Sequence, residues 1–369
     1  MGWLTTNHGD PTLARRAMGA TTEELEQFTA RVRSQLERRL SPWLEDRIAE
    51  ARDRGADVGA VAEAIGQLAL RGGKRMRPVL LAAAFEACGG DLDGATEAKA
   101  VTQAGVALEL LQAYLLVHDD WIDGDPIRRG GPSVPAMMRG RFADGRADAM
   151  SVLAGDLASA WAQRALLEVP LPPDRVVSAA RHLARMQEEV LQGQVLDVGG
   201  VARDAGEVEA MHALKTASYS VRGPVVMGAS LAGAADAQVA ALAEFATPLG
   251  VAFQLRDDLL GVFGDATTMG KPAGGDLRAG KRTSVVVAAL GDARASELLL
   301  RVLGRIDASE PDLRAAVTGM EACGARARVE GRIAALVHES RGALERAQIT
   351  PRGRALLSQA ATALTERQA

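Results

Sequence analysis

Several short stretches carry residues whose types and spacing suit the handling of polyphosphate. The first is Val117-His118-Asp119-Asp120-Trp121-Ile122-Asp123. Asp119 and Asp123 are four apart, so on a helix their carboxylates lie one turn apart on one face. Like charges at that spacing repel. A hard divalent cation such as Mg²⁺, which takes a few carboxylates together with phosphate oxygens and water, would relieve them. The apolar run Ala113-Tyr114-Leu115-Leu116-Val117 just before it places this acidic end on a helix emerging from a greasy interior. A second pair, Asp257-Asp258, is embedded in Phe253-Gln254-Leu255-Arg256-Asp257-Asp258-Leu259-Leu260. Two acidic sites on apolar helices, far apart in sequence, are expected to face each other across a cavity.

Acidic clusters alone could serve a structural cation, but basic turns are interleaved with them. Gly72-Gly73-Lys74-Arg75-Met76-Arg77-Pro78 presents three cations after a flexible turn, and Arg128-Arg129-Gly130-Gly131 follows the first acidic cluster directly. Lys215-Thr216 lies in a later helical stretch, and Gly270-Lys271-Pro272 and Gly280-Lys281-Arg282-Thr283 follow the second acidic pair. Lys and Arg beside Gly combine charge-assisted hydrogen bonds with accessible backbone amides. One such turn is commonly a solvated surface feature. Acidic pair followed by basic turn, twice over, is what a metal-bridged polyphosphate requires.

The elements that must position these residues read as helices. Thr21 with Glu24 has the form of a capping box. Leu25, Phe28, Val32, Leu36 and Leu40 then recur at helical spacing, with Pro42 expected to bend or interrupt the helix. Further helices are expected over Val58–Leu70, Val79–Cys88, Ala95–Asp123, Met150–Leu167, Asp174–Gln192, Val208–Val221 and Asp236–Val262, the last kinked at Pro248. Three more are expected over Ser284–Leu303, Pro311–Ser340 and Arg352–Arg367. No Ser- or Pro-rich linker divides the chain. Residues 1–20 read as an irregular N-terminal segment, and residues 21–369 as a single all-α domain.

Bulk composition narrows the function. The 369 residues are 47% hydrophobic and 24% charged, with a formal net charge of -4, which offers no footprint for nucleic acid. Cys88 and Cys323 lack any partner spacing for zinc or a disulfide framework and read as reduced thiols. The N-terminus has no signal-peptide core, and no run is expected to span a membrane, so the chain reads as cytoplasmic.

Taken together, Gly72 to Pro78, the DDxxD of Asp119 to Asp123 with Arg128-Arg129-Gly130, Lys215-Thr216, and Phe253-Gln254 with Asp257-Asp258 resemble the trans-isoprenyl diphosphate synthases, over about residues 72–283. The resemblance implies an all-α bundle around a central cavity, a homodimer, and Mg²⁺-dependent head-to-tail (1'-4) condensation of isopentenyl diphosphate with an allylic diphosphate. It assigns Asp119, Asp123 and Asp257 to Mg²⁺, supported by Asp120 and Asp258. It assigns Arg128, Lys215, Lys271 and Lys281 to the allylic diphosphate, and Lys74, Arg77, Arg129 and Gln112 to isopentenyl diphosphate. Thr216 and Gln254 would flank the reacting carbons. His118 reads as a structural hydrogen bond to a neighbouring helix, leaving the departing diphosphate as the base that takes the proton.

Tyr114 lies five residues before Asp119, about one and a half helical turns deeper. In the family, one aromatic at that position, with Leu115 next to it, implies a C20 product, geranylgeranyl diphosphate; farnesyl diphosphate or a longer chain stays open. The sequence departs from the family pattern at Gly261, where a third aspartate is common, with Asp265 as the nearest alternative carboxylate. It departs again at Gly275, before Asp276. Two other readings share the motifs. A class I terpene cyclase would line its cavity with aromatics, and this chain is 3% aromatic. A non-catalytic partner subunit would be expected to lose its metal ligands or the Lys74 and Arg77 pair.

Overall fold

The computed structural model describes residues 11–200, 202–264 and 275–366, with side chains described from residue 24 onward, residue 144 excepted. The helices are α1 (Pro11–Arg54), α2 (Ala56–Leu70), α3 (Met76–Ala87), α4 (Ala95–Asp123), α5 (Val134–Arg139), α6 (Asp144–Leu167), α7 (Pro173–Gly199) and α8 (Ala205–His212). A π-helix (Ala213–Arg222) follows, then α9 (Gly223–Ala232), α10 (Asp236–Phe263), α11 (Gly275–Arg278), α12 (Ser284–Leu290) and α13 (Ala293–Leu300). The chain closes with α14 (Glu310–Ala322), α15 (Ala325–Arg346) and α16 (Pro351–Thr365). Between α4 and α5 lies a minimal antiparallel hairpin, β1 (Ile127–Arg128) and β2 (Gly131–Pro132), pairing Ile127 with Pro132 and Arg128 with Gly131. The all-α expectation holds.

Helix α4 is the axis of the bundle, packed along α6 and touched by α1, α2, α3 and α5. From Ala100 to Val117 nearly every residue is buried, polar Gln103, Glu109 and Gln112 included. By length and composition α4 is apolar enough to cross a membrane, against the expectation that no stretch would be, yet 83% of its apolar window is buried inside the bundle. On α1, Phe28, Val32, Leu36, Leu40, Trp43 and Leu44 all face the core, as their spacing predicts.

Several boundaries differ from the sequence expectation. Helix α1 is already present at Pro11, so residues 11–20 are helical and Thr21 with Glu24 lies inside the helix. Leu13, Ala14, Arg15, Arg16, Ala17 and Met18 are good helix formers, and the single Gly19 between them and Thr21 costs about 1 kcal/mol, too little to end the helix. Pro42 does not interrupt α1, because the carbonyl it leaves without a donor belongs to Arg38, an exposed residue that water can reach. Pro248 likewise sits within a continuous α10.

The stretch expected as Ser284–Leu303 divides at Gly291, where Asp292 caps α13 by accepting from the Ala295 amide at 2.9 Å. The stretch expected as Pro311–Ser340 divides at Gly324, whose φ of 75° ends the preceding helix. Among the described residues two large apolar clusters result, with a small third around Val208 and Met211. Helix α10 serves both, with Phe245 and Leu249 in the larger one and Leu255 and Leu259 in that of the C-terminal helices.

Candidate active site

The left-handed Gly124 (φ 69°) terminates α4 directly after Asp123. The hairpin that follows turns on Arg129 (φ 53°) and Gly130 (φ 71°), two successive left-handed residues as a tight two-residue hairpin requires. This turn carries Arg128 back onto the end of α4. Its Nε donates to Asp120 Oδ1 at 2.6 Å, and its Nη2 lies 3.0 Å from Asp125 and 3.5 Å from Asp119. Asp120 is fully buried. Burial pushes its carboxyl up to about 6, against the pull of Arg128. Asp120 therefore anchors Arg128, while Asp119 and Asp123 remain partly open.

Each open carboxylate faces a lysine from elsewhere in the chain. Lys215 Nζ is 3.8 Å from Asp119 and ion-pairs with Asp197 of α7. Lys281 Nζ is 3.3 Å from Asp123. Burial opposes the charge on Lys281, but Asp123, Asp276 and Asp119 outweigh it and hold the ammonium above its ordinary range. Lys215 and Thr216 lie on the π-helix, a widened turn inside what the sequence presents as one helix over Val208–Val221. Two glycines let neighbours close on it. A Cβ on Gly193 of α7 would overlap the Lys215 backbone, and one on Gly250 of α10 would overlap Ala217.

Thr216, Gln254 and Asp257 line one cavity together with Tyr114, Asp119 and Lys281. Its volume is about 440 Å³, and its wall is largely apolar, including Leu115, Val152, Val190 and Phe253. It adjoins a larger cavity of about 1080 Å³ of mixed lining near Asp123, Asp197, Asp276 and Lys281, the two sharing Ile122 and Lys281. Two carboxylate sites and a set of cations thus cap a greasy pocket, as expected. Tyr114 is buried and meets the His118 ring edge-on at 5.0 Å. His118 Nε2 lies 3.1 Å from the Val152 carbonyl of α6, the interhelical hydrogen bond the sequence reading assigns it.

Of the first basic turn, Arg77 reaches the cavity: Nη2 donates to Ser220 Oγ at 2.7 Å, and the guanidinium lies 4.5 Å from the Tyr219 ring centroid. Arg75, read from sequence as a third presented cation, is instead turned inward, ion-paired with Glu109 and donating to the Ala69 carbonyl at 2.8 Å. Its left-handed backbone (φ 50°) aims it there. Arg129 lies against the Gly73 backbone and is held below its ordinary range by burial, with Arg75, Arg77 and Arg128 adding to the effect and Glu109 opposing it. Because an arginine stays charged, this repulsion marks a place where an anion is favoured. Gln112 is buried on α4, its Oε1 without a hydrogen-bond partner among the described residues. Lys271 and Asp265 lie outside the described residues.

Two assignments change. Asp258 is 4% exposed and turned away from the cavity, accepting from Gln254 Nε2 at 2.9 Å and from both the backbone amide and the hydroxyl of Ser284 at 3.1 Å. It holds Gln254 in place and does not face a cation. The second concerns the absent third aspartate. A Cβ on Gly261 would overlap Asp276 Oδ2, so the Asp276 carboxylate fills the space that a side chain at 261 would take. The sequence reading passed over Asp276 and Asp197. Asp197 lies beyond the expected helix Asp174–Gln192 and outside every motif, and Asp276 stands four residues before Gly280-Lys281 without motif spacing.

Among the described residues no three carboxylates or histidines converge into a ready cation cage; partly open carboxylate oxygens flanked by cations are the chemistry that a hard divalent ion sharing its coordination with phosphate oxygens would use.

The polyprenyl synthetase family model matches residues 59–320. The geranylgeranyl diphosphate synthase of Sulfolobus acidocaldarius is 35% identical over 265 residues, 70% of this chain and 76% of that protein. A (2E,6E)-farnesyl diphosphate synthase of Mycobacterium bovis is 36% identical over 260 residues, 68% of this chain and 67% of its own. Among solved structures, a Corynebacterium glutamicum geranylgeranyl pyrophosphate synthase, crystallised with isoprenyl diphosphate and magnesium, superposes with a TM-score of 0.84 at 33% identity, covering 93% of this chain and 99% of that one. On motifs, fold and relatives together, the chain belongs to the polyprenyl synthetase family and is a prenyltransferase that makes trans-prenyl diphosphates.

Proposed function

We propose that this enzyme condenses isopentenyl diphosphate with an allylic diphosphate to give geranylgeranyl diphosphate, with Mg²⁺ as cofactor. The observation that carries this reading is the single cavity in which Asp119, Asp257, Lys215, Thr216 and Gln254 surmount an apolar pocket lined by Tyr114.

In this reading Asp119, Asp123 and Asp257 hold Mg²⁺, with Asp276 beside them where a third aspartate would stand. The ions would neutralise charge on the allylic diphosphate as its C–O bond breaks. Arg128, Lys215 and Lys281, together with Lys271, meet the same charge and favour departure of the diphosphate. Thr216 and Gln254 lie beside the carbon that becomes cationic. Lys74, Arg77, Arg129 and Gln112 hold isopentenyl diphosphate so that its double bond faces that carbon. After the new C–C bond forms, the departing diphosphate takes the proton.

A C20 product is supported by Tyr114 on the pocket wall, five residues below Asp119, with the smaller Leu115 next to it. The 3% aromatic content and the intact second set of cations favour this over cyclisation, and the retained carboxylates favour it over a non-catalytic subunit.

A homodimer is supported by two exposed apolar stripes on adjacent helices: Leu153 and Leu167 on α6, and Val177, Leu191, Val195 and Val198 on α7. Residues 153 and 167, and 177, 191 and 198, are separated by whole heptads and so share one face of each helix. A second copy would cover them.

Purified protein with Mg²⁺, isopentenyl diphosphate and allylic primers of increasing length tests the reading. Accumulation of a C20 diphosphate without cyclic hydrocarbon is expected. Silence with every primer would sink it.

A further inference from the structure

Thr216 and Gln254 face the pocket, but what orients them lies behind the pocket wall. Thr216 Oγ1 donates to Gln254 Oε1 at 2.9 Å, and Gln254 Nε2 donates to Asp258 Oδ1 at 2.9 Å. The other oxygen of Asp258 receives the Ser284 amide and hydroxyl, each at 3.1 Å, and stands 3.5 Å from Nε2 of His212, the last residue of α8. His212, Asp258 and Ser284 are all buried, at 4%, 4% and 5% exposure. The chain of contacts therefore runs from α8 and α12, through α10, to the π-helix.

Its direction follows from donor and acceptor chemistry. One oxygen of Asp258 accepts from the Ser284 amide and hydroxyl, and the other accepts from Gln254. That arrangement sets the Gln254 amide with nitrogen toward Asp258 and oxygen toward Thr216. The reversed amide would put two acceptors face to face. The Thr216 hydroxyl must then give its proton to Gln254, and its lone pairs are left for the cavity, where they can meet positive charge. A preset dipole of this kind is how a site favours a developing cation without reorganising during the reaction.

We infer that His212, acting with Ser284 through Asp258, is a positioning residue that fixes the polarity of the Gln254–Thr216 pair. His212 touches no substrate. It gives a buried carboxylate a polar neighbour that keeps it in place, a function distinct from holding a cation. This inference rests on the reading that Thr216 and Gln254 flank the reacting carbons.

The test is a double-mutant cycle on the full-length enzyme with Mg²⁺ and both diphosphates. His212→Leu is expected to lower kcat on the order of tenfold, the loss of one polar contact to a buried carboxylate, with KM for both substrates within about threefold of wild type. His212→Gln, which keeps an N–H donor, recovers most of that loss. Thr216→Val lowers kcat on its own, and His212→Leu added to it lowers kcat no further, because the hydroxyl that His212 orients is already gone.

The inference is overturned if His212→Leu costs the same factor in both backgrounds, or if it raises both KM values and leaves kcat alone. Thr216→Val with wild-type kcat would overturn the underlying placement of Thr216, a result distinct from either. Should His212→Leu fail to fold by circular dichroism, Ser284→Ala, which removes one donor and keeps the backbone amide, carries the same cycle.

Discussion

Restoring the family's third aspartate should damage this enzyme. The Cβ of Gly261→Asp would overlap Asp276 Oδ2, so one of the two carboxylates must move. Two carboxylates about 4 Å apart repel by about 4 kcal/mol at the effective dielectric of partly exposed sites. Asp276 is half-buried and Lys281 lies close enough to be influenced by it, so screening and the ammonium reduce the net penalty to about 1–3 kcal/mol. Melting of the metal-free protein in chelator should fall by roughly 1–4 °C. The Mg²⁺ concentration for half-maximal activity should rise, because Asp276 is pushed from its place. Removing the competitor in Gly261→Asp/Asp276→Ala should restore both quantities toward wild type. Gly261→Asp alone with unchanged melting and an unchanged or lower Mg²⁺ requirement would refute the reasoning.

Asp119→Ala should reduce turnover by at least roughly a hundredfold while far-ultraviolet circular dichroism stays native, since one carboxylate at the reacting diphosphate is lost and the helix is not. Tyr114→Ala should lengthen the product and Tyr114→Phe should leave it at C20, both read by chromatography of dephosphorylated products; equal lengths from both would remove Tyr114 from the pocket floor. Asp120 gives a pH signature in the metal-free protein. Its carboxyl is raised from 3.8 to about 6, so between those values the unfolded chain gives up the proton before the folded one does, and stability falls as pH rises through the window. At about 1.4 kcal/mol per unit the loss approaches about 3 kcal/mol. Denaturant midpoints should show that slope in wild type and a flat profile in Asp120→Asn. That variant should also lose activity, because an amide holds Arg128 less strongly than a carboxylate.

Much of the site was legible because its chemistry is local. A helix puts residues four apart on one face whatever it packs against, so Asp119 and Asp123 could be paired from spacing alone, and Tyr114 could be placed below them. The glycine-flanked cations announced themselves in the same way, and the apolar stripe of α1 predicted its buried face residue by residue. Helix boundaries were less legible. A run of good helix formers hides its start, which is why Thr21 resembled a cap, and a single glycine such as Gly291 or Gly324 is weak punctuation until packing makes use of it.

The sequence by itself determined which residue types were available to bind metal and diphosphate, and that helices would present them. The tertiary structure alone decided which of those charges face the cavity. Arg75 and Arg77 are two positions apart in one motif, yet Arg75 is sealed against Glu109 while Arg77 reaches the pocket. Asp257 and Asp258 are adjacent, yet Asp257 lines the cavity and Asp258 is buried against Ser284 and His212. The Asp276 carboxylate fills the space beside Gly261. Spacing along one helix specifies a direction. Desolvation and pairing depend on side chains that arrive from tens or hundreds of residues away, and only the packed bundle brings those together.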